Sequence, residues 1–381
     1  MPRIADIKAT VLEVVVGQDR AFGNARSRFD RRASVLIEVI ADDGTRGWGE
    51  AWGAAPKATL GYLEAVKPKF IGKDVFDRNA GWHELVRAGY ALRVQNLLTG
   101  AVSGINIALY DLAGKLLGVP VYKLLGGGGS EGVPCYASGG YFCNDPNNQL
   151  EHQLDRVIGR GYSAYKIKIG AGLADDVARV RLAREMIGPD AALLVDVNGA
   201  YNAETAYACM RRIEPFDIHW IEEPVAPEDF EGLRRLGERR IMAIASGESH
   251  MTAYEFKRLL DTGAVDILMP DLTVGGGFDE GQTALQLCRL YGARVSPHVW
   301  GSAVGLAAGI HYVAAMPADP FALQSPYPSL VEYDYSYSPI RDELLVNPIM
   351  PHNGLLPVPQ GPGLGIEINE EVLRRHAVAR T

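Results

Sequence analysis

The chain has 381 residues, 47% of them apolar and 22% charged, and a formal net charge of −8. That length leads us to expect two or three domains with a large buried core, and the acidic balance argues against a general affinity for nucleic acid or anionic membranes. Four widely spaced cysteines (Cys135, Cys143, Cys209, Cys288) without a C-x-x-C pair fit the reduced thiols of a cytoplasmic protein rather than a disulfide framework.

The opening run MPRIADIKATVLEVVVG is broken by Glu13 and lacks a following small-residue cleavage site, so it is not read as a signal peptide. Residues 1–128 read as antiparallel strands followed by helices. ASVLIEVIADDGTRGWGEAW predicts a hairpin turning at DDG, residues 42–44. In GINIALYDLAGKLLG and the residues just before it, Val102, Ile105, Leu109, Leu112 and Leu116 recur at spacings of three and four, which predicts a helix. The run LLGGGGS, residues 124–130, is the clearest linker.

Beyond it, short apolar strands alternate with helical segments such as DDVARVRLAREMIG and FDEGQTALQLCRLYG. The strand candidates are VPCYASG, SAYKIKIG, AALLVDVNG, IHWIEEP, IMAIASGES, VDILMPD, ARVSPH and the region around SLVEYD. Eight of them predict an α/β protein whose residues 129–354 form a parallel (β/α) barrel. The apolar run VGLAAGIHYVAAM is too short to span a bilayer. The tail, from about residue 355 to 381, is expected to return and complete the first domain.

Active sites of such barrels lie at the C-terminal ends of the strands. There the third, fourth and fifth strands carry Asp196, Glu222 and Glu248, spaced 26 residues apart each time, which is one β/α repeat. Three unpaired carboxylates facing one interior repel one another and lose hydration. A hard cation relieves both costs. All-oxygen ligands favour Mg²⁺, with Mn²⁺ as the alternative. Asp271 and His298 follow on strands six and seven, 27 residues apart, where the carboxylate can orient the imidazole. Glu332, or in its place Gln324, closes the ring on strand eight. In YKIKIG, Lys166 and Lys168 alternate with Ile167 and Ile169, so both ammonium groups share the interior face. Each is expected to disfavour the other's charge and bring an amine towards about pH 7–8, where it acts as a base.

KIK, DVN, EEP, GE, PD and PH in this order, with SGINIALYDLAGKLLGVPVYKLLGG before them, resemble the enolase superfamily in its mandelate racemase subgroup. The resemblance implies a modified TIM-type (β/α) barrel under an α+β capping domain, with residues 1–128 and the tail forming the cap. It implies Asp196, Glu222 and Glu248 as ligands of Mg²⁺, Lys168 and His298 as the two acid/base residues, Asp271 orienting His298, and Lys166 tuning Lys168 and binding the substrate carboxylate together with Asn198 and Glu332. Muconate-lactonizing relatives carry a lysine on strand six, where this chain reads DLTVGGG with Thr273. RFDRRASVLIE, DDGTRGWGE, SPHVWG and GPGLGIEIN look similar to galactarolactone cycloisomerases and sugar-acid dehydratases.

The implied reaction removes the proton α to a carboxylate, or to a lactone carbonyl, of a sugar acid and completes a β-elimination. A racemase or epimerase using the same residues and a non-catalytic sugar-acid binder are the alternatives. Arg26, Arg28, Arg31 and Arg32 are candidates to meet a distal carboxylate. A small-molecule sugar acid or lactone is the expected partner, with no nucleic acid and no membrane, in a cytoplasmic homo-oligomer.

Overall fold

A computed structural model describes residues 1–53, 55–88, 97–317 and 327–381. Strand Ile4–Val15 pairs antiparallel with Arg31–Ala41, which folds back on Arg46–Ala51. The turn between the last two places Gly44 at φ 86°, in the left-handed region. Helix Leu97–Leu117 lies on this sheet and buries Val102, Ile105, Leu109 and Leu112 against it. Gly47 and Gly49 make that approach feasible: a Cβ on either would fall 2.2 Å and 2.0 Å from the carbonyl oxygens of Ala108 and Gly104.

All eight predicted barrel strands form. In chain order they are Gly132–Ser138, Ala164–Lys168, Ala192–Asp196, Ile218–Glu222, Ile244–Ser246, Ile267–Leu268, Arg294–Val295 and Val331–Asp334. Neighbours are parallel, and strand eight pairs with strand one. Among the described residues, strands seven and eight share no ladder. Instead the Ser296 hydroxyl donates to the carbonyl of Leu330 at 2.6 Å and accepts from its N–H at 3.3 Å. The two-residue period sorts the side chains. Ile167, Val195, Ile221 and Leu268 belong to the large core that also contains buried helix residues. Tyr136, Leu194, Trp220, Ile267, Met269 and Leu330 form a separate cluster that fills the barrel.

Two buried acids fasten the cap. Glu50 accepts hydrogen bonds from the Ser34 hydroxyl (2.5 Å), from the N–H and hydroxyl of Ser302 (2.8 and 2.6 Å), and from the Gly305 N–H (2.7 Å). It thereby takes up donors at the start of helix Ala303–Ala314. Asp111, on the long cap helix, accepts from the N–H groups of Trp48 and Leu364, each at 2.7 Å. The tail serves both domains: Leu355–Pro357 pairs with barrel strand one, and Ala377–Arg380 joins the cap sheet beside Ile4–Val15. No helix among the described residues is long and apolar enough to cross a membrane.

His311 ties three of these parts together. Its Nε2 donates to the carbonyl of Leu364 in the tail (3.0 Å) and its Nδ1 accepts from the N–H of Tyr122 (3.3 Å). A second proton would face that N–H, and burial pushes the imidazole down to about 4. Between that value and about 6.5, where a free histidine titrates, the unfolded chain holds the extra proton, so this residue's contribution to stability falls as pH falls. The unfolding free-energy penalty of His311→Gln is therefore expected to shrink, by about 3 kcal/mol at most, as pH is lowered from 6.5 to 4. Denaturant titrations at several pH values measure it, and a penalty independent of pH would contradict the assignment.

Candidate active site

The barrel register sets Lys168 opposite Asp196, and Asp196 opposite Glu222. Glu248 comes from beyond the end of strand five, after Gly247 at φ 137°. Even so, Asp196, Glu222 and Glu248 each bring an oxygen within 4.8 Å of the others. Asp196 and Glu222 are fully buried, and one buried oxygen of Glu248 has no hydrogen-bond partner. An all-carboxylate trio with an unsatisfied oxygen has the chemistry to hold a hard divalent cation.

The lysines answer these charges. Lys166 is wholly buried, with Nζ 2.6 Å from Glu222, 2.9 Å from Glu332 and 3.8 Å from Asp196. Lys168 Nζ lies 2.5 Å from Asp196. Burial alone would pull both amines down, but the carboxylates outweigh it: Glu222 and Glu332 raise Lys166, and Asp196 raises Lys168. In this geometry the amines pair with Asp196 and Glu222, the same acids that would hold a cation. The repulsion between the two ammonium groups exists, but the acids packed against them dominate. For the same reason Asp196 is held below the usual carboxylate range despite burial, chiefly by Lys168 and Lys166. Glu222 stays well above that range, through burial and then the charge of Asp196.

Across the mouth, Asp271 accepts from His298 Nδ1 at 2.7 Å, while its other oxygen accepts from the N–H and hydroxyl of Thr273 at 2.7 and 2.6 Å. His298 Nε2 is thus left facing Glu248 at 3.7 Å and Glu332 at 3.8 Å. Burial lowers the imidazole, but the three carboxylates prevail and raise it to about 10. Glu332 stands on strand eight and accepts from the Ser138 hydroxyl (2.5 Å), Lys166 and the Val299 N–H (3.2 Å). Gln324 lies outside the described residues. Asn198 sits at φ 50° with its backbone N–H on Asp196 at 2.8 Å and its side-chain oxygen buried without a partner.

This geometry stands beside three comparisons. Residues 149–372 match the "Enolase C-terminal domain-like" family model, and residues 6–126 match the N-terminal domain of the mandelate racemase / muconate lactonizing enzymes. The chain belongs to the mandelate racemase / muconate lactonizing enzyme family of the enolase superfamily. It is 39% identical over 358 residues to the D-galactarolactone cycloisomerase of Agrobacterium fabrum, covering 93% of this chain and 94% of that protein. It is 32% identical to the L-rhamnonate dehydratase of Saccharopolyspora erythraea, over 90% of this chain and 85% of that one. The crystal structure of the 3,6-anhydro-D-galactonate cycloisomerase from Zobellia galactanivorans superposes with a TM-score of 0.88 at 32% identity, covering 99% of this chain and 100% of that chain. These relatives place this enzyme among isomerases and lyases.

Several groups of this site were given no role from sequence, although Glu223 is visible beside Glu222 at the end of strand four. Glu223, the second acid of EEP, has φ 38° and a buried oxygen without a partner. Burial, with the charges of Glu248 and Asp196, pushes its carboxyl well up. Strict strand alternation would have sent it away from Glu222, and only the left-handed backbone alters that. Ser138 was legible only as the end of strand one. Tyr141, Trp300 of SPHVWG and the cap's Trp52 were assigned no role from sequence: the Tyr141 ring lies 5.7 Å from Lys168 Nζ, and the Trp52 ring lies 5.8 Å from that of His298.

The arginine candidates separate. Arg32 is buried and paired with Asp334 at 2.9 Å. Arg31 faces outward to Glu13 and Asp30. Arg28 lies over the Phe142 ring. Arg26 is exposed, with Nη1 3.3 Å from the point where a Cβ on Gly199 would stand.

Because Asp271 is one of the carboxylates that raise His298, Asp271→Asn is expected to lower the imidazole's pKa by about one to two units. Histidine NMR titration of magnesium-free protein reads this directly. An unchanged titration would show that Asp271 does not set the charge of His298.

Proposed function

We propose that this enzyme removes the proton α to the carboxylate, or lactone carbonyl, of a sugar acid and completes a β-elimination. The observation that carries the reading is the placement of an amine and an Asp271-oriented imidazole beside one trio of carboxylates. Asp196, Glu222 and Glu248 would hold Mg²⁺, or Mn²⁺ in its place. Once bound, the ion would stabilise the negative charge that builds on the substrate's carboxylate oxygens as the C–H bond breaks.

The chain's own groups supply the rest. Lys166, fixed between Glu222 and Glu332, keeps a positive charge under the site and is the residue proposed to favour the substrate carboxylate. Lys168 and His298 stand on strand two and after strand seven, so they approach from different sides of the ring. One takes the α proton and the other protonates the oxygen that leaves the next carbon. The unpartnered oxygen of Asn198 is available to a substrate hydroxyl. The named activities of the cycloisomerase and dehydratase relatives support elimination over simple inversion. Residues 1–128 with the tail are proposed as the specificity-setting cap, and residues 129–354 as the catalytic barrel.

Incubation with Mg²⁺ and a panel of sugar acids and lactones in D₂O, followed by NMR, is expected to give a dehydrated product or an opened ring. Lys168→Ala is expected to slow turnover by about 10²–10⁴-fold. Deuterium at the α carbon without elimination would identify a racemase instead.

A further inference from the structure

A polar network stands behind Lys168, at the start of helix Leu173–Ile187. Asp176 is fully buried there, and Arg179 follows it by one helical turn, so both side chains leave the same face. The Arg179 guanidinium donates through Nε to the carbonyl of Lys168 at 3.0 Å and through Nη2 to that of Gly140, just past strand one, at 2.5 Å. It lies over the Phe142 ring at 4.3 Å. One Asp176 oxygen accepts from the N–H groups of Gly170 and Ala171 at 2.8 and 3.2 Å. The other accepts from the Tyr201 hydroxyl at 2.5 Å, and that hydroxyl accepts from the Gly172 N–H at 3.1 Å.

These bonds take over where the sheet stops. Strands one and two pair at Ala137–Tyr165 and Ser138–Lys166, after which the Lys168 N–H reaches the Gly140 carbonyl at 3.3 Å. Lys168 is the last residue of its strand and faces Asp196 on the last rung to strand three. Its amine hangs on a flexible stem, so the main chain at this rung decides where Nζ can go. Arg179 joins the carbonyls on the two sides of the weak rung, and Asp176 fixes the chain immediately after it. Tyr201 extends the tie to the segment that follows Asp196 and Asn198. His298 is held by other means, through Asp271 and through the bond from the Val299 N–H to Glu332. The network therefore acts on one base and not on the other.

We propose, resting on the β-elimination reading above, that Asp176 and Arg179 are positioning residues for Lys168, holding its main chain so that the amine meets the substrate at a fixed distance. Neither touches the substrate. Proton transfer is steep in distance, and a misplacement of about 1 Å costs on the order of 100-fold in rate. Loss of one arm of the clamp leaves Lys168 paired with Asp196 but free to shift along with its strand end. Substrate affinity rests on Lys166 and the carboxylate trio, which the clamp does not hold, so the effect belongs to turnover rather than to binding.

The test measures kcat and KM, with Mg²⁺ present, on a sugar acid or lactone that wild type eliminates. The variants are Arg179→Met, Arg179→Lys and Tyr201→Phe, each with and without Lys168→Ala. Arg179→Met is expected to lower kcat about 10-fold with KM changed by less than about twofold. Arg179→Lys, which can still reach one carbonyl, is expected to recover part of that loss. Tyr201→Phe removes one hydroxyl, keeps the ring, and is expected to lower kcat about threefold; it carries the test if Arg179→Met does not fold. In the Lys168→Ala background each change is expected to alter kcat by less than about twofold, because the group being placed is gone. An unchanged kcat in the folded single variants, or equal losses with and without Lys168, overturns the positioning role and leaves β-elimination intact. A wild type that eliminates no sugar acid or lactone overturns the β-elimination reading and the role with it.

Discussion

Everything at the mouth of this barrel depends on a balance of buried charge. Asp196, Glu222, Glu223, Glu332 and Asp271 are buried with Lys166, Lys168 and His298, and Glu248 closes the set. Ions taken out of water each cost several kcal/mol unless partners replace the lost hydration. The lysines provide that for Asp196, Glu222 and Glu332, and Thr273 with His298 provides it for Asp271. The balance is left incomplete on the side of Glu248 and Glu223, where buried oxygens have no donor. An incomplete set of acids with two fixed ammonium groups beneath it is a receptor for further positive charge.

The fold makes this arrangement affordable through separation of layers. Inside the barrel the apolar cluster around Trp220 and Tyr136 fills the space, while the last residues of strands two, three and four turn charged. Trp220 joins the two levels, since its ring packs on Tyr136 at 5.6 Å and its N–H reaches Glu222 at 3.2 Å. Outside, Ile167, Val195 and Ile221 bind the strands to the helical shell. The closure between strands seven and eight is of another kind, made by the Ser296 hydroxyl. Just beyond it, the loop carrying His298 is tied to Glu332 through the Val299 N–H.

The strands, the repeat spacing of the acids and the His298–Asp271 pair were legible in the sequence because each is periodic or adjacent by one β/α unit. Period two put both lysines on one face, and that face is interior. What the spacing missed has physical reasons. Glu248 lies past the end of its strand, which the 26-residue spacing does not reveal. The lysines' pairing with carboxylates on strands three, four and eight is a matter of three-dimensional distances that strand spacing alone does not assign. Glu223 depends on one left-handed residue. Trp52 of the cap lies against Trp300, and Trp300 donates to Tyr141 of the barrel, although the three are far apart in the chain. Their meeting is set by the docking of the cap, for which buried Glu50 accepts three hydrogen bonds from Ser302 and Gly305 of the barrel.

The central claim is that Asp196, Glu222 and Glu248 act together to hold one divalent cation. Titration of Mn²⁺ into chelator-stripped protein, followed by electron paramagnetic resonance, tests it most directly. One tight site is expected in wild type, displaced by Mg²⁺ and lost in folded Glu222→Gln. Uptake of Mn²⁺ by that variant with unchanged affinity would contradict the account.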